Sequence, residues 1–273
     1  MIISILNNLL GKISIQKVQK GGQSMDRNKF SAIAHSEHLF SNPISETKIN
    51  RIIDFLQLEP HAKVLDIGAG KCELLIRLVE KYDIEATAVE LYEGSILEAK
   101  KQAQKRISEG KITYIVKDAK QVISEYVDHF DVGICVGSSH ALGSLELTLQ
   151  ALKGSVKKGG FILVGEGYWK KKPSQEYLDA LGGADESELK KHHENVFMGE
   201  SMGLVPIWSV VASDDDWDEY EGLYAMSMEK YCYENPNDPD YNIMLNKIRT
   251  WKRTYFTWGR DTLGFGLYLF QNQ

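Results

Sequence analysis

The sequence predicts an α/β fold built on a mostly parallel sheet, and three observations carry that prediction. Short apolar runs alternate with helical periodicities from about residue 62 onward. The first of these runs ends in an acid and a Gly-x-Gly loop. The chain of 273 residues, 43% hydrophobic and 26% charged, is long enough to bury a cooperative core.

Each element follows in order. Residues 62–66 form a short apolar strand, and residues 71–82 then place Leu74, Leu75, Leu78, Val79 and Tyr82 at helical spacing. Residues 86–89 are a second strand. The helix over 92–109 has Ile96, Ala99, Ala103 and Ile107 on one face and Gly110 as its C-cap. Residues 112–116 are β-branched and strand-like, and 131–136 make a fourth strand. Leu145, Leu149 and Leu152 mark a helix, and 161–164 form a fifth strand after the turn Lys158-Gly159-Gly160. Such alternation implies right-handed βαβ units with helices on both faces of the sheet.

Two later runs, 207–212 and 264–270, finish the sheet. Between them lie about fifty residues rich in Trp, Tyr and Phe, split into two helices by Asn235-Pro236-Asn237-Asp238-Pro239. Residues 30–58 read as a helical cap that can close as a lid. The expected organisation is therefore an N-terminal extension (1–24), a helical cap (25–60), a nucleotide-binding core (61–170), and a C-terminal part (171–273) that completes the sheet and carries the aromatic insertion.

Composition excludes several classes. A net charge of −6 lacks the basic face that phosphate contact needs, so no nucleic-acid partner is expected. Cys72, Cys135 and Cys232 are odd in number and widely spaced, which fits neither a disulfide framework nor a zinc or iron–sulfur site. No metal is expected, and free thiols suit a reducing cytoplasm. Residues 1–10 are apolar but too short to span a bilayer, and no basic segment precedes them, so no membrane partner is expected. Lys20-Gly21-Gly22 can be encoded by a purine-rich ribosome-binding site. Translation starting at Met25, with residues 1–24 as upstream sequence, is one reading; a loosely ordered N-terminal arm is the other. The expected state is a monomer or homodimer.

The chemistry concentrates in Val64-Leu65-Asp66-Ile67-Gly68-Ala69-Gly70-Lys71-Cys72-Glu73. Glycine lets backbone approach a ligand closely, outside the carboxyl end of the strand. A dinucleotide fingerprint would place glycine at position 73, where the chain has Glu73, and a pyrophosphate on the helix N-terminus would be repelled by that carboxylate. S-adenosylmethionine (SAM) carries a sulfonium and an ammonium group instead, so nearby acids suit it. Glu90 ends the second strand, where it can accept from both ribose hydroxyls. Asp118-Ala119 follows the third, where an acid can take the adenine amino group.

VLDIGAGKCELL, AVEL, KDA and GGFILVGE resemble the successive motifs of class I SAM-dependent methyltransferases, over roughly residues 60–170. The resemblance implies a Rossmann-like methyltransferase fold with a mostly parallel seven-stranded sheet, SAM as cofactor, and methyl transfer to an O, N or S nucleophile of a small molecule. It also implies that Asp66, Gly68 and Gly70 line the methionine end, Glu90 and Leu91 the ribose and adenine, and Asp118 and Ala119 the adenine. Val136, ending the fourth strand, joins this cofactor set. The flanks Ser36-Glu37-His38, Asn42-Pro43 and Gly165-Glu166-Gly167-Tyr168-Trp169 are similar to one bacterial and archaeal small-molecule subgroup, in which an aromatic residue is common where His140 stands.

His140 after strand four is the first candidate for a general base and Glu166 after strand five the second. His38, Tyr168, Trp169, Arg253 and Tyr255 are candidates for the acceptor side, although packing and a solvated helix end are competing accounts of the aromatics and Arg253. Two alternatives remain open: a non-catalytic SAM-binding regulatory protein and, with Glu73 against it, an NAD(P)-dependent oxidoreductase.

Overall fold

The computed structural model describes residues 26–273, and the expectations for residues 1–24 lie outside them. In chain order its helices and strands are α1 (Arg27–Ala34), α2 (Glu46–Leu56), β1 (Lys63–Ile67), α3 (Glu73–Tyr82), β2 (Glu85–Glu90), α4 (Glu93–Arg106), β3 (Ile112–Val116), α5 (Ala119–Val122), β4 (Phe130–Val136), α6 (Leu145–Ser155), β5 (Val156–Trp169), α7 (Gln175–Ala180), α8 (His192–Ser201), β6 (Leu204–Val211), α9 (Asp214–Glu234), α10 (Tyr241–Thr254), α11 (Arg260–Thr262) and β7 (Leu263–Asn272). A π-helical turn, Tyr255–Gly259, joins α10 to α11.

The seven strands form one sheet in the order β3-β2-β1-β4-β5-β7-β6. β1 pairs in parallel with β2 and with β4, so the strand order reverses between β1 and β4. β6 and β7 are antiparallel. β1 is buried on both faces from Val64 to Ile67, as a central parallel strand must be. Leu65 and Ile67 join a core with Cys135, Leu149, Leu152, Ile162 and Val164.

Two boundaries differ from the sequence expectation. α4 ends at Arg106, with Ile107 extended, and Gly110 takes its positive φ of 85° in the turn beyond rather than at the cap. β5 begins at Val156 and includes the expected Lys158-Gly159-Gly160 turn, because Phe130 already pairs with Val156 ahead of a register shift.

The chain forms two compact units that interleave in sequence. The sheet unit takes Ile44–Glu166, Lys191–Val211 and Phe265–Gln273; the helical unit takes described residues 26–43, Gly167–Lys190 and Ala212–Gly264. α2, expected in the N-terminal cap, groups with the sheet unit. Its Ile49, Ile52, Ile53 and Leu56 are buried, Lys48 donates to the Val211 carbonyl, and Arg77 of α3 reaches Glu46 and Asn50.

Within the helical unit, Ser213 caps α9 in a capping box with Asp216, and Asp214, Asp215 and Asp216 complement the helix dipole. Trp217, Tyr220, Tyr224, Ala225, Met228 and Cys232 form one buried stripe along α9. α1 packs on it through Phe30, whose ring lies 6.3 Å from Tyr224, while Lys29 ties to Asp238 and Asp240. Among the described residues no helix is long and apolar enough to cross a membrane.

Candidate functional site

In the sheet unit, the loop after β1 turns through three left-handed residues. Gly68 has φ +70°, Gly70 φ +54° and Cys72 φ +57°. A Cβ on Gly68 would fall on the Ser138 side chain, far inside contact distance, whereas a Cβ on Gly70 would meet nothing within 4 Å. Gly68 is therefore required by both space and conformation, and Gly70 by conformation alone. The Val89 carbonyl accepts from the Gly68 and Ala69 amides at 2.8 and 3.2 Å, which ties the loop to the end of β2.

Glu90 completes that tie. Its Oε2 accepts from the Gly70 amide and its Oε1 from the Tyr92 amide, each at 2.9 Å. Asp66, at the end of β1, is buried, and its carboxyl is held well above the usual range by that burial and by the charge of Glu90. Two acids thus face one cradle, one braced by backbone amides and one withdrawn from water.

Glu73 does not share this role. It is the first residue of α3, buried, with Oε1 accepting from Arg77 at 2.7 Å and Oε2 from Arg106 at 2.6 Å. With two guanidiniums against it, Glu73 contributes little negative charge to the loop. Asp66 and Glu90, rather than Glu73, are therefore the acids that disfavour a phosphate ligand at this loop. Arg106, more than thirty residues away in sequence, is the partner that sequence spacing could not supply.

At the neighbouring strand ends, Leu91 is exposed, Ala119 is buried, and Asp118 is exposed and caps α5 by accepting from the Lys120 amide at 2.9 Å. Val136 ends β4, with its side chain where a Cβ on Gly165 would lie.

The methyltransferase domain family matches residues 64–160, the segment that holds this loop and strands β1 to β4. Over 90% of this chain and 98% of its own, a SAM-dependent methyltransferase from Geobacter sulfurreducens, solved with S-adenosylhomocysteine, is similar with TM-score 0.82 and 27% identity. A SAM-dependent methyltransferase from Thiobacillus denitrificans, also solved with S-adenosylhomocysteine, matches with TM-score 0.82 and 28% identity over 91% of this chain and all of that one. The uncharacterized protein YjhP of Escherichia coli K12 is 26% identical over 245 residues, 89% of this chain and 98% of YjhP. The chain carries a methyltransferase domain in the class I fold, and its activity is that of a SAM-dependent methyltransferase.

In this methyltransferase the two candidate bases differ sharply. Glu166, the last residue of the sheet unit's β5 segment, is buried and accepts a short hydrogen bond from Ser139. His140 stands past the end of β4, in the 3-10 turn Ser139–Ala141, with its side chain exposed. The sequence offered no sign of Ser139, whose contact with Glu166 requires β4 and β5 to be paired.

The acceptor-side candidates lie in the helical unit, and most are tied into it. His38 Nε2 donates to the Tyr220 carbonyl at 2.9 Å. Tyr168 is buried with its ring where a Cβ on Gly264 would lie. Trp169 donates its indole N–H to the Glu186 carbonyl at 2.8 Å, and its amide to the Lys190 carbonyl. Tyr255 donates to Asp218 at 2.6 Å from the π-helical turn. Arg253 is exposed in the last turn of α10, where its charge complements the helix C-terminus.

Proposed function

We propose that this methyltransferase acts on an oxygen, nitrogen or sulfur nucleophile of a small molecule and holds SAM at the carboxyl ends of β1, β2 and β4. The observation that carries the reading is the pairing of buried Asp66 with Glu90 around a cradle that only glycine can form at position 68. The donor set fits SAM: the ligand's positive charges offset the unfavourable proximity of two carboxylates, and its ribose hydroxyls are donors for Glu90. A pyrophosphate would add negative charge beside both acids.

When bound, SAM supplies a methyl carbon already activated by a positively charged sulfur leaving group. The chain's task is then to orient the acceptor and keep the site dry, and orientation supplies about 7–11 kcal/mol. The glycine loop, Asp66 and Glu90 hold the donor, with Leu91, Asp118, Ala119 and Val136 as further cofactor-side residues. Glu166, fixed by Ser139, positions the acceptor or takes its proton, and His140, whose imidazole is pushed down to about 4 by partial burial, is neutral and can accept one. A base matters only for an acceptor that must lose a proton, for roughly 10²–10⁴-fold. His38, Tyr168, Trp169, Arg253 and Tyr255 are proposed for the acceptor side, the first three chiefly by shaping it. The three buried free thiols support a reducing, cytoplasmic setting.

Calorimetry with SAM and with NADH tests the donor assignment: SAM binds, and binding of NADH without SAM overturns the reading. Incubating the protein with methyl-labelled SAM and a cell extract, followed by mass spectrometry, tests the acceptor class. A labelled small molecule is expected; label found only in macromolecules overturns it.

A further inference from the structure

The buried face of α9 contains one carboxylic acid, Glu221, besides the small polar Ser227. Glu221 sits between Trp217 and Tyr224, one turn from each, and is itself only 6% exposed. Its Oε2 accepts from the Trp251 indole at 2.5 Å, while Oε1 is buried with no hydrogen-bond partner among the described residues. A carboxylate taken from water and only half satisfied is expensive, and native structures keep such groups where something else completes them.

Its surroundings are aromatic and electron-rich. Burial raises the phenols Tyr177, Tyr220, Tyr224 and Tyr255, and Glu221 adds to the shift in each, after Asp218 at Tyr255. Trp217 stacks on Tyr255 at 6.4 Å, and the Tyr255 ring and Tyr177 Oη both lie against Gly259. Two further polar atoms in this cluster, Tyr177 Oη and Trp217 Nε1, are also buried without a hydrogen-bond partner among the described residues. The charge balance of Glu221 is set by burial and by the Trp251 indole, with no lysine or arginine offsetting it. The nearby guanidinium, Arg260, is committed to Asp218.

We propose that this cluster is a binding site for a small organic cation, an ammonium group that pairs with Glu221 Oε1 and lies against the faces of the surrounding rings. Each part of the cluster supplies what such a ligand needs. Aromatic faces attract a cation, and more so when both are desolvated. A buried carboxyl oxygen with no protein partner among the described residues gives up its proton to solvent as the ammonium group binds, and the carboxylate so formed supplies charge complementarity that rings alone lack. The π-helical turn that carries Tyr255 and Trp258 is a local excess of backbone, a feature that recurs at functional sites. The site lies within the helical unit and stands apart from the donor assignment.

Tetramethylammonium and methylammonium chloride are the probes, with tert-butanol and potassium chloride as the neutral and simple-cation controls. Titration of the full-length protein, read by tryptophan fluorescence and by the indole N–H signal of Trp251, is expected to show saturable binding of at least one ammonium probe and none of either control. The Trp251 signal is assigned with Trp251→Phe. Glu221→Gln is expected to weaken that binding at least fivefold, and Asp66→Ala to leave it unchanged, which separates this site from the donor site. Equal response to tert-butanol, or undiminished binding in folded Glu221→Gln, overturns the proposal. If Glu221→Gln does not fold, the wild-type Trp251 indole signal decides: an ammonium titration that leaves it unmoved overturns the proposal as well.

Discussion

The two units each bury a carboxylate at a place that matters, and they do so by different means. In the sheet unit, Glu90 is braced by two backbone amides at the ends of parallel strands, and Asp66 is raised beside it. In the helical unit, Glu221 is surrounded by rings and meets one indole donor. A loop after a parallel strand can offer backbone amides to an acid beside it, as Glu90 finds and Asp66 does not. An acid on a helix face finds only side chains, and its surroundings depend on which other helices pack there. The first arrangement is general to a fold; the second is particular to this chain.

The largest effect that tests this contrast is expected at Gly68. Gly68→Ala places a methyl on Ser138 and holds a left-handed φ that costs a non-glycine residue roughly 1–2 kcal/mol. SAM affinity is expected to fall at least about a hundredfold, roughly 2.7 kcal/mol, as read by calorimetry. Adding Ser138→Gly should restore part of that loss by removing the clash; no restoration would mean that conformation alone is responsible.

Next come the acids of the cradle. Asp66→Ala and Glu90→Ala are each expected to weaken SAM binding at least tenfold, about 1.4 kcal/mol. Glu90→Gln should cost less than Glu90→Ala, since its amide oxygen can still accept from the loop. Unchanged affinity in both alanine variants would show that the donor lies elsewhere.

Glu221 is expected to act on stability through pH. Burial pushes its carboxyl up to about 8, against an ordinary value of 4.5. Because the folded value is the higher one, the contribution is fully present below about pH 4.5 and is lost as pH rises through 8. Glu221→Gln does not titrate, so its melting temperature relative to wild type should climb by a few degrees, roughly, between pH 5 and pH 9. A difference that stays flat over that range would show that Glu221 remains charged when folded. The smallest effect is expected at Arg253: with its side chain in solvent, Arg253→Ala should change kcat/KM by no more than about twofold. A larger drop would place an anionic acceptor beside it.

Much of the sheet unit was legible because its signals are local. Each β-branched run lies within a few residues of its acid, Asp66 and Glu90 at the ends of β1 and β2 and Asp118 just past β3, and the glycine loop directly follows β1. Glu73 was misread because its neutralising partner Arg106 lies on another helix. The carbonyls of Tyr220 and Glu186 that tie His38 and Trp169 into the helical unit likewise carry no mark in the sequence. Glu221 was passed over among the aromatics, although an acid with Trp217 four residues before and Tyr224 three after is a recognisable irregularity in an apolar helix face.

By itself the sequence determined the alternation of strands and helices, the glycine loop, and the acids that close the first strands, since each depends on backbone sterics and nearest neighbours. Tertiary structure decided which charges remain charged. Burial raises Asp66 and Glu221, guanidiniums from its own and another helix pair with Glu73, and those surroundings exist only once the chain has folded.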